Sequence, residues 1–338
     1  MIFKKVFLGG IAVAATLISG VSQAQEFKLN YGHYLNDSPF LKVEQEFAAA
    51  VEARSGGRVS FNIVYSGGLG KGNELLPLAG RGAIDVAAVV PGYYADQMPF
   101  ARIMQTPFVF DSPSEAIDVA KKSYSEIPAF AEELDGHGVM RLFHQPLGSY
   151  FMTGKTDDCK SLDGLAGKKI RTFGADLPKM MEAVGAVPTS VGFGDIYEAV
   201  DRGTLDYSFL NLGNVEALKL NEVGTFNCGP ALSMAGHLIV IGKRTWNRLP
   251  ADIQQIILEE ASVAQDKYVK SINDAEAAAE KRLKAAGATV IRLTSAQMAD
   301  WKSKTPDLMA QWAEGLAAKG QGEAANLVVA KWAEWTKD

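Results

Sequence analysis

Arg171 closes the run Lys168-Lys169-Ile170-Arg171, which reads as a β-strand, and Thr172-Phe173-Gly174 lead on into a helical stretch at 175–186. The carboxyl end of a strand, facing the start of a helix, is where an open α/β sheet places its ligand. A guanidinium there offers a planar fork of donors that grips a carboxylate at two points. The chemistry on offer is recognition of a small organic acid.

Other chemistries find no support. The four histidines, His33, His137, His144 and His237, form no His-Glu-x-x-His pair and stand at no metal-ligand spacing from a cysteine. No Gly-x-Ser-x-Gly nucleophile turn occurs. The turn Ser66-Gly67-Gly68-Leu69-Gly70-Lys71-Gly72 fails as a phosphate loop, because Tyr65 stands where the first glycine belongs and Gly72 where Ser or Thr would hold magnesium. It reads as a link between strand and helix. Glu132-Glu133 and Glu259-Glu260 read as solvated helix faces. No catalysis or cofactor is expected, and no residue is read as a metal ligand.

Several elements must position the arginine. Residues 27–34 and 58–65 read as strands around a helix that starts at Ser38-Pro39 and stops at Gly56-Gly57; a short helix at 73–79 and a buried strand at 84–90 follow. The same order returns as strand 168–173, helix 175–186, strand 187–191, helix 195–201 and strand 205–210. Arg81-Gly82-Ala83-Ile84-Asp85 and Arg202-Gly203-Thr204-Leu205-Asp206 repeat one local pattern at the helix-to-strand junction. Two similarly built lobes are expected. A helix over 113–133, strands at 139–144 and 238–241, and a long helix over 251–285 complete the reading. At about 1.5 Å per residue that helix reaches along both lobes. Trp301, Trp312, Trp332 and Trp335 follow in helical surroundings and read as packing residues.

The bulk properties fit. Lys4 and Lys5, an apolar run from Val6 to Val21 and Ser22-Gln23-Ala24 make residues 1–24 a secretory signal. Without it the formal net charge moves from −5 to −7, which argues against a nucleic-acid partner. About 314 remaining residues suit two domains. Cys159 and Cys228 can bridge in an oxidising compartment.

Several dispersed blocks resemble one family. Gly164-Leu165-x-Gly167-x-Lys169-Ile170-Arg171, Gly185-Ala186-x-Pro188-Thr189, and Tyr197-Glu198-Ala199 with Gly203 and Asp206 are similar to the core of the DctP-type solute-binding proteins of TRAP transporters. Ser55-Gly56-Gly57-Arg58-Val59, Gly68-Leu69-Gly70, Gly82-x-x-Asp85 and Thr245-Trp246-x-x-Leu249-Pro250 agree. The resemblance covers essentially the whole chain after the signal. It implies an α/β, two-lobed periplasmic binding protein of type II-like form. The lobes are expected at 25–148 plus about 237–276, and at 149–236 plus about 277–338 with the C-terminal helices. It implies capture of a small-molecule organic acid by a monomer, and delivery to the small and large membrane subunits of an ion-driven transporter. The same architecture also serves ligand sensing, where the loaded protein docks on a receptor kinase.

The family's carboxylate-clamping arginine falls on Arg171, and its aromatic residue after Pro-Thr on Phe193. Its asparagine after the strand aspartate falls one place early, on Leu210, with Asn211 next. A second arginine found in sialic-acid binders aligns with Phe151, and an acidic residue at the last strand of the first lobe aligns with Val90. Arg171 is thus expected to be the one cation in a cleft walled by Phe151, Phe173, Phe193, Tyr93 and Tyr94, with His33 and Tyr34 closing from the first lobe. Aromatic walls around one guanidinium suit a monocarboxylate with an apolar or aromatic body.

Overall fold

The computed structural model describes residues 26–336. The predicted signal, and with it the cleavage after Ala24, lies outside the described residues. Nine strands form one mixed sheet: β1 (Phe27–Gly32), β2 (Val59–Val64), β3 (Val86–Val89), β4 (Val139–Gly154), β5 (Lys169–Thr172), β6 (Val187–Ser190), β7 (Tyr207–Asn211), β8 (Phe226–Gly242) and β9 (Thr289–Arg292). Their order is β2-β1-β3-β8-β4-β7-β5-β6, with β9 against the first residues of β8.

Each half repeats one pattern. In the first half β1 pairs in parallel with β2 and β3; in the second β5 pairs in parallel with β6 and β7. The repeated Arg-Gly-x-aliphatic-Asp pattern has a common physical purpose. Gly82 and Gly203 hold φ of 76° and 71°, a left-handed step that ends each helix and is costly for a residue with a Cβ. Each aspartate then clamps the neighbouring strand. Asn30 donates its backbone N–H to Asp85 Oδ2 (2.8 Å), and Lys169 donates its own to Asp206 Oδ2 (2.7 Å).

The halves are joined by β4 and β8, which pair antiparallel along most of their 16 and 17 residues. Sequence patterning reveals only one end of each, 139–144 and 238–241. Both strands are buried on both faces, so no alternation marks them. Register shifts between 141 and 152 bend the pair where it passes from one half to the other. The helix expected over 113–133 is two helices, Pro113–Glu126 and Pro128–Gly136. Pro128 forces the break, since Ile127 before it is held extended.

The helix Ala251–Ala285 has the predicted bounds and serves both halves. Ile253, Ile257 and Tyr268 enter the core beneath β1 and β3, whereas Ala279 and Leu283 pack with Leu205 and Leu210. Trp301, Trp312 and Trp332 are core residues. Trp301 packs on the second half and donates its indole N–H to Met180 O (2.7 Å). Trp312 and Trp332 instead pack against Phe100, Ile117 and Phe130, so the last two helices lie on the first half.

A disulfide joins Cys159 to Cys228 across 69 residues of sequence, tying the turn before β5 to β8. Replacing both cysteines with serine is expected to cost about 2–4 kcal/mol. Urea unfolding under oxidising conditions measures this, and an unchanged midpoint would count against it.

Candidate functional site

A cleft of about 600 Å³ lies between the two halves. The first half supplies Tyr34, Asn36, the turn Ser66-Gly67, Lys71 to Asn73, Gly92 and Tyr93. The second supplies Arg171 to Gly174 and Ser190 to Asp195. Deeper in, a chamber of about 10 Å³ has room for about one water. Tyr34, Tyr93, Arg171, Phe173 and Phe193 wall both spaces; Val90, Gln105, Leu147, Tyr150, Leu210, Asn214 and His237 complete the inner one.

Arg171 sits at the end of β5, where the strand stops and the chain turns toward the helix Leu177–Glu182. It is only 1 % exposed. Its Nε donates to Val191 O (3.2 Å) and its Nη2 to the Tyr93 hydroxyl (3.1 Å), a contact across the cleft. The guanidinium carbon lies 5.0 Å from the Phe173 ring centre. Among the described residues no carboxylate comes within ion-pair distance of it. A buried charge without a counter-charge is costly unless something supplies one. The aromatic side chains around it meet across the cleft: Tyr34 on Phe193 (5.5 Å) and Tyr93 on Phe173 (5.7 Å), both edge-on. Burial, reinforced by Tyr93, Tyr150 and Glu44, raises the Tyr34 hydroxyl well above the ordinary phenol value, and burial likewise raises Tyr150. Both remain neutral donors at physiological pH.

Four residues read into the site from sequence sit behind it. Phe151 lies away from the cleft and packs with Leu210, Val200 and Leu283 beneath Arg292. Tyr150 takes the cleft position. Asn211 is fully buried and caps the helix Leu212–Ala217 by accepting from Asn214 N (2.8 Å), which leaves Asn214 to line the chamber. Tyr94 accepts from Leu76 N (3.0 Å) and donates to Gly72 O (2.8 Å), so it holds the glycine turn in place. Burial pushes its hydroxyl up to about 12.

His33, the fourth, belongs to a buried hub behind Tyr34. Glu44 is 1 % exposed and accepts from Tyr31 Oη, Tyr268 Oη (2.9 Å) and His237 Nε2 (2.9 Å), with His33 Nε2 at 3.1 Å. Leu35 N donates to His33 Nδ1 (3.0 Å), and the Tyr34 hydroxyl lies 3.3 Å from His237 Nδ1. The Leu35 N–H makes His33 Nδ1 an acceptor, so the His33 proton sits on Nε2, toward Glu44, while the Tyr34 hydroxyl can donate to or accept from His237 Nδ1. His33, Glu44 and His237 do bring three ligand atoms within 4.8 Å of one another. A metal would need the His33 Nε2 lone pair, which this tautomer does not offer, so the trio reads as a hydrogen-bonded support for Tyr34.

The sequence reading missed further residues. Lys71 is an exposed second cation at the cleft mouth, carried there by the turn read as a mere link. Glu133 is no solvated face: its carboxylate accepts from Phe100 N (2.7 Å) and Ala101 N (2.8 Å), capping the turn Ala101–Gln105. Glu259 and Glu260 both pair with Arg54. Arg102 and Asp176 form an ion pair (2.9 Å) that also bridges the two halves.

Residues 31–315 match the bacterial extracellular solute-binding proteins of family 7, DctP. A solute-binding protein of Sulfitobacter sp. strain NAS-14.1 is 26% identical over 259 residues, covering 75% of this chain and 76% of that one. The C4-dicarboxylate-binding periplasmic protein DctP of Rhodobacter capsulatus is 23% identical over 317 residues, covering 92% and 94%. A TRAP periplasmic solute-binding protein of Desulfovibrio salexigens, solved with orotic acid, superposes with a TM-score of 0.80 at 22% identity, covering 91% and 99%.

Proposed function

Because the chain belongs to the bacterial extracellular solute-binding proteins of family 7, the DctP-type receptors of TRAP transporters, and is a receptor rather than an enzyme, we propose that it captures a monocarboxylate with an apolar or aromatic body between its lobes. The observation that carries this is Arg171, buried at the cleft with no carboxylate of its own and enclosed by aromatic side chains. A ligand carboxylate supplies the missing counter-charge, and the rings of Tyr34, Tyr93, Phe173 and Phe193 supply apolar area to its body. Lys71, Asn36 and Asn73 give the outer end a polar rim.

On this reading the lobes divide within β4 near 148 and within β8 near 236, and the bent strand pair is the hinge. Closure brings Tyr34 and Tyr93 over the bound acid and excludes water, which strengthens the ion pair. Only the ligand's preference for the closed form drives the motion. The protein acts as a periplasmic monomer after loss of residues 1–24 and hands its ligand to the small and large membrane subunits. Docking on a receptor kinase is the other use of the same closed form; nothing in the cleft favours it.

A thermal-shift screen of organic acids tests the ligand class. Monocarboxylates with aliphatic or aromatic bodies are expected to raise the melting temperature. A C4 dicarboxylate or a sialic acid as the sole hit would overturn the proposal.

A further inference from the structure

The inner chamber has a surplus of hydrogen-bond donors, and Gln105 sets its character. Gln105 is 5 % exposed. Its Oε1 accepts from Gly92 N (2.7 Å), while its Nε2 is buried with no partner. A backbone N–H can only donate, so this contact fixes which end of the amide is oxygen. The approach is so close that a Cβ on residue 92 would stand 2.7 Å from Oε1 and 3.1 Å from the Phe173 ring. The amide cannot swap ends without losing that bond, and its nitrogen is what Gln105 has left to offer the two small spaces it lines, this chamber and one beside Arg102 and Asp176. The capped turn Ala101–Gln105 holds it there.

Most of the other polar groups lean the same way, while Asn214 and Tyr150, which also line the chamber, can donate or accept. Arg171 donates only. Tyr93 already accepts from Arg171, so its own O–H is free to donate. Tyr34 and His237 are engaged with each other. Among the described residues lining this chamber there is no carboxylate. An ammonium group beside Arg171 would meet a second cation and no anion. A carbonyl oxygen there would meet donors.

Resting on the reading of Arg171 as the carboxylate clamp, we infer that Gln105 is a specificity-determining residue that donates to a carbonyl oxygen next to the ligand carboxylate. The site therefore selects 2-oxo acids over the matching simple acids and over the matching 2-amino acids. An unpaired buried donor is the penalty for the simple acid, and an unpaired ammonium the penalty for the amino acid.

Titration calorimetry on two matched series tests this: phenylpyruvate, 3-phenylpropionate and phenylalanine, then 4-methyl-2-oxopentanoate, 4-methylpentanoate and leucine. The wild-type protein is expected to prefer the oxo acid over the simple acid by about tenfold or more in at least one series, with the amino acid weakest. Gln105→Leu is expected to bring that oxo-to-simple ratio close to one. Gln105→Glu keeps an oxygen for Gly92 and the same shape but opposes the ligand's charge, and should weaken every acid. Melting temperatures with no ligand check that both variants fold, and either folded variant suffices. A ratio that stays the same in a folded Gln105→Leu, or a Gln105→Glu that binds as wild type, would overturn the role of Gln105 while leaving the carboxylate clamp standing. If neither series binds at all, the monocarboxylate reading fails and this inference fails with it.

Discussion

Replacing Arg171 with alanine is expected to lower affinity for the carboxylate ligand by about 2–5 kcal/mol, roughly 30- to 5,000-fold. Much of that loss is the cost of burying a carboxylate with no cation to meet it. Arg171→Lys should also weaken binding, because one ammonium cannot donate at once to Val191 O and to two carboxylate oxygens while stacking on Phe173. The same residue makes a second, opposite prediction about the empty protein. A buried guanidinium without a counter-charge does little for stability, so Arg171→Ala should melt close to wild type in the absence of ligand. Ligand-induced stabilisation should disappear. A residue that merely holds the fold would show the reverse: a large drop in the empty protein and an intact ligand response. Calorimetry and thermal melts together separate the two, and unchanged affinity in both variants would end the assignment.

The position of Arg171 was legible because three signals converge on it: a short strand, a turn into a helix and a dispersed family pattern. The duplicated lobes were legible from five residues, since Asp85 and Asp206 each clamp a neighbouring strand. The cleft wall was not. Which of Tyr150 and Phe151 faces the ligand depends on the phase of β4, and the register shifts on either side of Tyr150 break the two-residue alternation. The family alignment that puts Phe151 at the second arginine's position therefore falls one residue from Tyr150, which lines the chamber. Asn211 carries the right chemistry, yet its oxygen caps the helix start, its buried nitrogen has no partner, and the residue lines neither space of the cleft. Gln105 gave no sequence signal, since its role depends on the backbone of Gly92, which only the fold brings near. Glu44 could have been found. It shares a helical stripe with Phe47, Ala48 and Val51, all buried, and an acid on an apolar stripe demands partners.

Those partners make Glu44 the residue whose loss should harm the fold most. Glu44→Ala leaves the donors of Tyr31, Tyr268, His33 and His237 buried without an acceptor, at about 1–3 kcal/mol each. A total of about 4 kcal/mol or more is expected, a large share of the roughly 5–15 kcal/mol that keeps a domain folded. The pH dependence follows from the charges. Burial alone would raise the Glu44 carboxyl, but the two imidazoles and their hydrogen bonds outweigh it and hold Glu44 well below the usual carboxylate range. Its contribution is complete above about pH 4.5, the unfolded value, and is lost as pH falls below it. His144 and His237 are lowered chiefly by burial, so theirs is complete above pH 6.5 and is lost as pH falls. Glu133 and Glu276 run the other way. Burial raises both to about 7, so their contribution is complete below pH 4.5 and is lost as pH rises through 7. Between pH 4.5 and 7 the two sets oppose each other; below 4.5 nothing offsets the loss at Glu44. Urea unfolding followed by circular dichroism should thus give a nearly level stability around neutral pH and a steep fall below about 4.5. In Glu44→Gln the neutral stability should be lower and the acid fall shallower. An acid limb as steep as wild type in that variant would show that the hub is not what fails in acid. The hub also reaches the cleft, since His237 holds the Tyr34 hydroxyl. Ligand affinity in folded Glu44→Gln should therefore drop by a few-fold, even though Glu44 lies outside the cleft lining.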